Sequence, residues 1–264
     1  MTALMTPVAG RVTQGRVARA ELTKLRTLRS TWWTLGATLL LTVGVGVLIS
    51  WAAGSSTDPS SLPSDVASRS QAGSILAQLA LGVLAVLVIS GEYGTGMIRS
   101  SMTCVPKRLP VLWAKAGVLV GVVLPLTLLT SLLAFFLGNA VWQAQGLPAP
   151  SLADHGVARI VLGTALYLTV VAVTALAVGT LLRSTAAGIS TVVGVFFVLP
   201  VVFQALPVGI ARWGEWLPSN AGGALTEQAN GPAALAPWVG FAVLCAYAVA
   251  ALAAAAWRLT RADV

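Results

Sequence analysis

Charged side chains are scarce in this sequence, because Asp, Glu, Lys and Arg together make up 9% of its 264 residues. Soluble domains carry roughly a quarter of such residues. Hydrophobic residues account for 57% of the chain, so the sequence excludes a soluble protein of ordinary composition. Its two cysteines, Cys104 and Cys245, are too few to indicate a disulfide framework.

Long apolar runs take the place of the missing charge. Each holds roughly the 20 apolar residues that cross a hydrocarbon core of about 30 Å. The six runs cover residues of about 32–53, 72–91, 111–138, 157–182, 186–206 and 236–257. We therefore predict an all-α membrane protein, with a cytoplasmic leader over residues 1–31 and a six-helix transmembrane domain over residues 32–264.

The basic residues are distributed unevenly between the two sides of these spans. Thirteen of the sixteen lie on the side of the N-terminus, and the other three are Arg69, Arg159 and Arg212. The thirteen are Arg11, Arg16, Arg19, Lys24, Arg26, Arg29, Arg99, Lys107, Arg108, Lys115, Arg183, Arg258 and Arg261. The positive-inside rule then predicts that both termini are cytoplasmic. This sorting and the attraction to anionic lipid explain the net charge of +8, so we expect contact with membrane lipid and no nucleic-acid partner.

The residues before the first run predict an amphipathic helix that lies along the inner membrane interface. Its apolar stripe consists of Ala18, Leu22, Leu25, Leu28 and Trp32. The charged candidates of this interfacial helix are Glu21, Lys24, Arg26 and Arg29. Arg29 can extend its charge to the interface, whereas Glu21 either pairs with Lys24 or faces a partner. A simple juxtamembrane anchor is the alternative interpretation.

Residues for nucleotide, metal or acid–base chemistry are also missing. None of the three lysines, Lys24, Lys107 and Lys115, follows a glycine, which excludes a P-loop. The single histidine, His155, cannot form a histidine-based metal site or relay. We therefore expect no catalysis and no cofactor in this chain.

No span carries a clearly mid-membrane ionisable residue. Ion-coupled carriers keep such groups as relays and coupling sites. The polar side chains within the spans are uncharged, and they can join helices by hydrogen bonds or line a substrate path. Examples are Gln78, Thr127, Ser131 and Thr169. A transporter of this kind has to take its energy from elsewhere, and a partner ATPase is the simplest source.

Three segments of the sequence resemble segments of a known protein family. The stretch from Ala18 to Trp33 resembles the N-terminal part of ABC-2 type transporter permeases of high-GC bacteria. Ser90 to Ser101, with its Glu-x-Gly-Thr-Gly pattern, resembles their loop after span two, and Val105 to Lys115 resembles the start of their span three. With the six-span layout, the resemblance covers nearly the whole chain.

This resemblance implies the ABC-2 (type V exporter-like) permease fold. It also implies a homodimer or pseudo-dimer of permease chains bound to two cytoplasmic ATPase subunits, which hold the ATP and Mg. Their coupling helix corresponds to the first inner loop, and the candidate coupling residues are Glu92, Gly94, Thr95, Gly96, Met97 and Arg99, followed by Arg183 and Ser184 of the second inner loop. For Glu92 the alternatives are helix-end electrostatics or a pair with Arg99.

The segment over residues 207–235 would form the outer gate of such a permease. Its glycines, prolines and tryptophans are compatible either with a re-entrant piece covered by protein or with an ordinary interfacial loop.

We therefore predict the permease subunit of an ATP-driven exporter in a bacterial plasma membrane. Its substrate would be apolar or amphipathic: a drug, a natural product or a lipid. The candidate lining of its path is aromatic, with packing or lipid contact as the alternative role: Phe135, Phe136, Phe196, Phe197 and Phe203. An anchoring or signalling subunit that docks a partner without transport is the alternative function. A membrane enzyme is disfavoured by the missing intramembrane acid–base pair.

Overall fold

The computed structural model describes residues 13–54, 63–94, 109–226 and 235–261. Over these ranges the chain forms helices and turns, without a strand. The helices before the middle of the chain are α1 (Gln14–Thr27), α2 (Arg29–Gly54), α3 (Pro63–Ser70), α4 (Ser74–Gly94) and α5 (Leu109–Ala144). They are followed by α6 (Val157–Leu182), α7 (Thr185–Val193), α8 (Leu199–Gln204), α9 (Val208–Ala211), α10 (Pro218–Gly223) and α11 (Pro237–Arg261).

Six helical stretches in the described part of the chain are long and apolar enough to cross a membrane. They are Arg29–Ala53, Ser74–Tyr93, Leu109–Ala144, Val157–Leu182, Thr185–Gln204 and Pro237–Arg261. The prediction of an all-helical protein with six spans is confirmed. The third span is longer than expected, because the helix continues through Pro125 and past residue 138 to bury Trp142. It ends just before Gly146, whose φ of 74° turns the chain.

The fifth span is built from three pieces. A π-helical turn over Gly194–Val198 separates α7 from α8. Pro200, near the start of α8, has no N–H to donate, and its ring would clash with the carbonyl of Phe196 one turn earlier in a regular α-helix. A wider π turn at this point relieves the clash.

Helix α6 lies at the centre of the bundle. It packs against α4, α5, α7 and α11, and it is the most deeply buried of the six spans. The main apolar core lies between α4, α5 and α6 and includes Leu81, Leu119 and Leu176. The first, fifth and sixth spans keep large exposed faces, which a membrane or a second chain would cover.

Polar side chains inside the bundle join neighbouring helices. Gln71, in the turn between α3 and α4, donates to the Ser131 carbonyl at 3.0 Å. The Ser131 hydroxyl lies 2.9 Å from Gln71 Oε1 and 2.6 Å from the Val161 carbonyl. Further along, the Thr127 hydroxyl lies 3.3 Å from that of Thr169. These contacts hold α5 and α6 together where no water can satisfy the polar groups.

Exposed tryptophans mark both ends of the bundle. One group stands at the starts of α2 and α5 and near the end of α11, and consists of Trp32, Trp33, Trp113 and Trp257. The other stands at the opposite end and consists of Trp51, Trp213, Trp216 and Trp238. Tryptophans with this distribution are typical of the two membrane interfaces. We name the end with Trp32 the basic end, and the other the far end.

The connection between the fifth and sixth spans packs into the far end. A Cβ atom on Gly222 of α10 would lie 2.6 Å from the Tyr167 ring and 2.7 Å from Leu244, so α10 fits closely between α6 and α11. Tyr167 lies ten residues into α6, which corresponds to about 15 Å along the helix. Arg159 donates to the carbonyls of Ala224 and Leu225 at 3.3 and 3.4 Å. Neighbouring helices therefore cover α10, and such cover favours the re-entrant interpretation of residues 207–235 over that of an ordinary interfacial loop.

Candidate functional site at the basic end

Four charged side chains meet at the basic end, and we name them the four-charge cluster: Glu21, Lys24, Glu92 and Lys115. The Lys115 ammonium lies 2.5 Å from Glu21 Oε2 and 2.7 Å from Glu92 Oε1. The Lys24 ammonium lies 3.0 Å from Glu21 Oε1 and 2.8 Å from the same Glu92 Oε1. The contacts close a ring of alternating charge with a net charge of zero.

Three separate elements supply this cluster. Glu21 and Lys24 lie three residues apart on α1, and therefore on one helix face. Glu92 stands near the end of α4, and Lys115 in the second turn of α5. Helix α1 turns into α2 at Leu28, whose backbone is extended with ψ at 118°. That break lets α1 lie against α5 instead of continuing the direction of α2.

Burial makes each charge in this cluster depend on the others. The Lys115 side chain is 1% exposed, and both carboxylates are buried. Removing such charges from water costs several kcal/mol for each ion, which opposite charges and hydrogen bonds must offset. Lys24 is 32% exposed. Burial alone would lower its pKa, but the hydrogen bonds and charges of Glu92 and Glu21 outweigh burial and raise the pKa of Lys24 above its ordinary value of 10.5.

One carboxylate oxygen of Glu92 has no partner in the part of the chain that the structure describes. Its Oε1 accepts from both lysines, while its buried Oε2 accepts no hydrogen bond from any described residue. Both oxygens of Glu21 are engaged. A buried carboxylate oxygen of this kind favours an added donor.

A cavity of about 480 Å³ borders the four-charge cluster. Its apolar walls come from the helix α1 region and from α4: Leu25, Leu28, Leu84, Leu87 and Val88. Thr27, Ser30 and Thr31 add polar groups. The volume lies in the range of pockets that hold small molecules. Among the described residues no group of three His, Cys, Asp or Glu side chains could hold a metal ion.

A second set of contacts ties the end of α4 to the next hairpin. The Arg183 guanidinium lies 5.5 Å from the centre of the Tyr93 ring, in a cation–π arrangement. Arg183 adopts a left-handed conformation with φ at 54°, which ends α6. The Ser184 hydroxyl accepts from the N–H of Ala187 at 3.5 Å and caps α7. Thr185 and Ser90 hydroxyls lie 2.9 Å apart.

The predicted coupling residues are therefore distributed as follows. Glu92 lies in the four-charge cluster, Arg183 and Ser184 form the hairpin behind it, and Gly94 ends α4. Thr95, Gly96, Met97 and Arg99 lie outside the described residues, as does Cys104. Glu92 pairs with Lys24 and Lys115. The sequence had suggested helix-end electrostatics or a pair with Arg99 as its alternative roles, and neither includes these two lysines.

The interfacial-helix candidates separate into two groups. Glu21 and Lys24 face the cluster, while Arg26 and Arg29 are exposed. Of the expected apolar stripe, Leu25 is buried, whereas Leu22 and Leu28 are exposed. Glu21 stands four residues before Leu25, and that spacing was the available signal that Glu21 shares its buried face. Lys115 was missed because it counted only as an inner basic residue.

The five candidate path phenylalanines lie in different places. Phe135 packs against α6 at Ile160 and Val161, and its ring meets that of Phe136 edge to face at 5.5 Å. Both line a cavity of about 360 Å³ near the far end. Phe196 and Phe197 pack on the main core, and Phe203 contacts Gly214.

Comparison with known proteins places this architecture in a family. Residues 18–208 match the family model described as ABC-2 family transporter protein. No curated protein matches the chain at a significant level. The matched region includes most of α1, the four-charge cluster and the first five spans. Because the match covers more than half of this multi-pass membrane protein, the chain belongs to the ABC-2 family of transporter permeases, which are membrane transport subunits and not themselves catalytic.

Proposed function

We propose that the chain is the transmembrane permease subunit of an ATP-driven exporter in a bacterial plasma membrane. Two copies would work with two copies of a separate cytoplasmic ATPase subunit and move an apolar or amphipathic substrate. The observation that carries the proposal is the linkage at the end of α4. Glu92 and Tyr93, which directly precede the inner loop, contact α1, α5 and the α6–α7 hairpin.

This linkage supplies a route for mechanical coupling. A partner that pushes on the loop after α4 moves Glu92, and Glu92 is joined by short ion pairs to Lys24 of α1 and Lys115 of α5. The same push moves Tyr93 against Arg183. Rigid helices then rotate or slide as units, which is how packed helical interfaces change between two states.

The energy source follows from what the sequence excludes. The chain has no P-loop lysine, and ABC-2 permeases typically work with an ATPase partner. We therefore assign ATP and Mg binding to that partner. The absence of a clearly mid-membrane ionisable residue supports the same assignment, because an ion-driven carrier would require one.

Reconstitution with the partner ATPase tests the proposal. The full chain and the ATPase are purified together into lipid vesicles, and ATP hydrolysis and ATP-dependent movement of a fluorescent amphiphile are measured. We expect both activities in the complex and no hydrolysis by the permease alone. Hydrolysis that persists in the pure permease would contradict the proposal, and a stable complex without transport would favour the anchoring alternative.

A glycine substitution tests the coupling step. Gly96→Val stiffens the inner loop, and we expect it to reduce transport per ATP hydrolysed while the complex still assembles. Gly36→Val is the matched control, because a side chain at exposed Gly36 on α2 meets nothing within 4 Å. Full coupling in Gly96→Val would remove this loop from the mechanism.

A further inference from the structure

All four residues of the four-charge cluster line the cavity beside it. Glu92 Oε2 is buried and lacks a hydrogen-bond donor among the described residues. Every other carboxylate oxygen of the cluster already faces an ammonium group. The Lys24 side chain is 32% exposed, whereas that of Lys115 is 1% exposed. A ligand that brings a charged N–H donor would therefore complete the cluster.

The apolar wall of the same cavity continues away from Glu92 along α4. Val88 and Leu84 precede Glu92 by four and eight residues, so all three lie on one face of the helix. Eight residues correspond to about 12 Å along the axis. Leu25 and Leu28 form the opposite wall. The cavity thus has a charged end and an apolar body, within a volume of about 480 Å³.

We infer that this cavity binds an amphipathic molecule that carries a protonated amine. The Glu92 carboxylate would turn to present Oε2, which is fully buried in this structure, to the ammonium group, and the apolar part would lie along Val88 and Leu84. This inference rests on the proposed function and narrows its substrate to amine-bearing amphiphiles. It also gives Glu92 a role in recognition, separate from its contact with the loop that follows.

A direct binding measurement tests the site without the ATPase. The full chain is placed in nanodiscs of zwitterionic lipid and titrated with a dansyl-labelled alkyl probe that ends in a primary amine. Two matched probes end in a methyl group and in a carboxylate. Signal from empty nanodiscs is subtracted. We expect the amine probe to bind about tenfold more tightly than the methyl probe, as one charge-assisted hydrogen bond would give.

Two substitutions should act in opposite directions. Glu92→Gln removes the charged acceptor, so the preference for amine over methyl should fall to about twofold or less. Lys115→Met removes a competing cation and should tighten amine binding several-fold. A role that is only structural would weaken binding in both variants. Glu92→Gln with Lys115→Met keeps the net charge of the cluster at zero, and it too should lose the amine preference.

A distant substitution supplies the control. Glu215→Gln removes an acid at the far end of the bundle, and its amine binding should equal that of the unsubstituted chain. Equal binding of the amine and methyl probes, an amine preference that survives Glu92→Gln, or tighter binding of the carboxylate probe would each overturn the inference. Such results leave the permease function standing, because ATP-dependent transport is measured separately with the ATPase present.

Discussion

Lys115 on α5 forms an ion pair with Glu21 on α1 across 94 positions of the chain, with Nζ 2.5 Å from Oε2. Both side chains are almost completely buried. Leu25 is the other buried side chain of α1. The attachment of α1 to the membrane bundle therefore depends on a small apolar contact around Leu25 and on charge pairing that is strongest when water is excluded.

Exchanging the charges of Glu21 and Lys115 tests how far their ion pair contributes to the docking of α1. Glu21→Lys and Lys115→Glu each leave a like-charge contact in a buried site and should weaken α1 docking by about 3–5 kcal/mol. The double variant restores opposite charges at positions 21 and 115. It also sets each of them against a like charge, Lys24 or Glu92, so it should recover only part of the docking. The measurement is the mobility of a spin label at exposed position Ala20, after both native cysteines are replaced.

The control for this cycle is the thermal unfolding of the bundle, which should change little if only α1 is released. A double variant as mobile as either single variant would show that the ion pair does not hold α1.

Alkaline pH should release α1 through Lys24. The folded-state pKa of Lys24 is raised above 10.5, so its protonated form stabilises docking fully below that value. This stabilisation is lost as the pH rises through the higher folded-state pKa. The label at Ala20 should become more mobile only above pH 10.5, and Lys24→Met should reduce that pH-dependent change. An identical transition in Lys24→Met would assign it to another group.

Glycine positions test the packing of α10, which lies between the fifth and sixth spans. A Cβ on Gly240 would collide with the backbone carbonyl of Ala221, which cannot move aside as a side-chain end can. Gly240→Ala should therefore lower the free energy of unfolding by about 1–3 kcal/mol. Gly223→Ala is the control, since a Cβ there meets nothing within 4 Å. Equal stability of both variants, measured by SDS titration, would mean that α10 does not pack on α11.

Reporter fusions test the predicted orientation. Thirteen of sixteen basic residues lie on the side of the N-terminus, so both ends should be cytoplasmic. Alkaline phosphatase fused after Val264 should be inactive, and a fusion at about residue 60 should be active. The reverse pattern would invert the topology and move the four-charge cluster to the outside.

The spans were predictable because hydropathy depends on local composition. The six runs of the sequence became the six long apolar helices of the described chain. Helix ends were less predictable. The extension of α5 to Ala144 accompanies the burial of Trp142, and the π turn accommodates the ring of Pro200 in the backbone. Neither is visible in a hydropathy average.

The candidate site was predictable only in part. The resemblance pointed to Glu92, and its position at the end of a span was clear from the sequence. The partners of Glu92 were not, because Lys24 and Lys115 are 68 and 23 residues away. In the sequence, Glu21 interrupts the apolar stripe of α1. It is buried in the structure because Lys24 and Lys115 neutralise the charge of its carboxylate.

The sequence by itself determined that this is a six-span membrane protein of the ABC-2 family with a sorted charge distribution and without a P-loop. Those properties follow from composition and from motifs that lie within short stretches. Only the tertiary structure decided that α1 is held by a neutral ring of four charges, that one oxygen of Glu92 lacks a donor among the described residues, and that an apolar cavity lies beside it. Burial of a charge is favourable only when its partners are within hydrogen-bond distance, and that distance is a property of the folded chain.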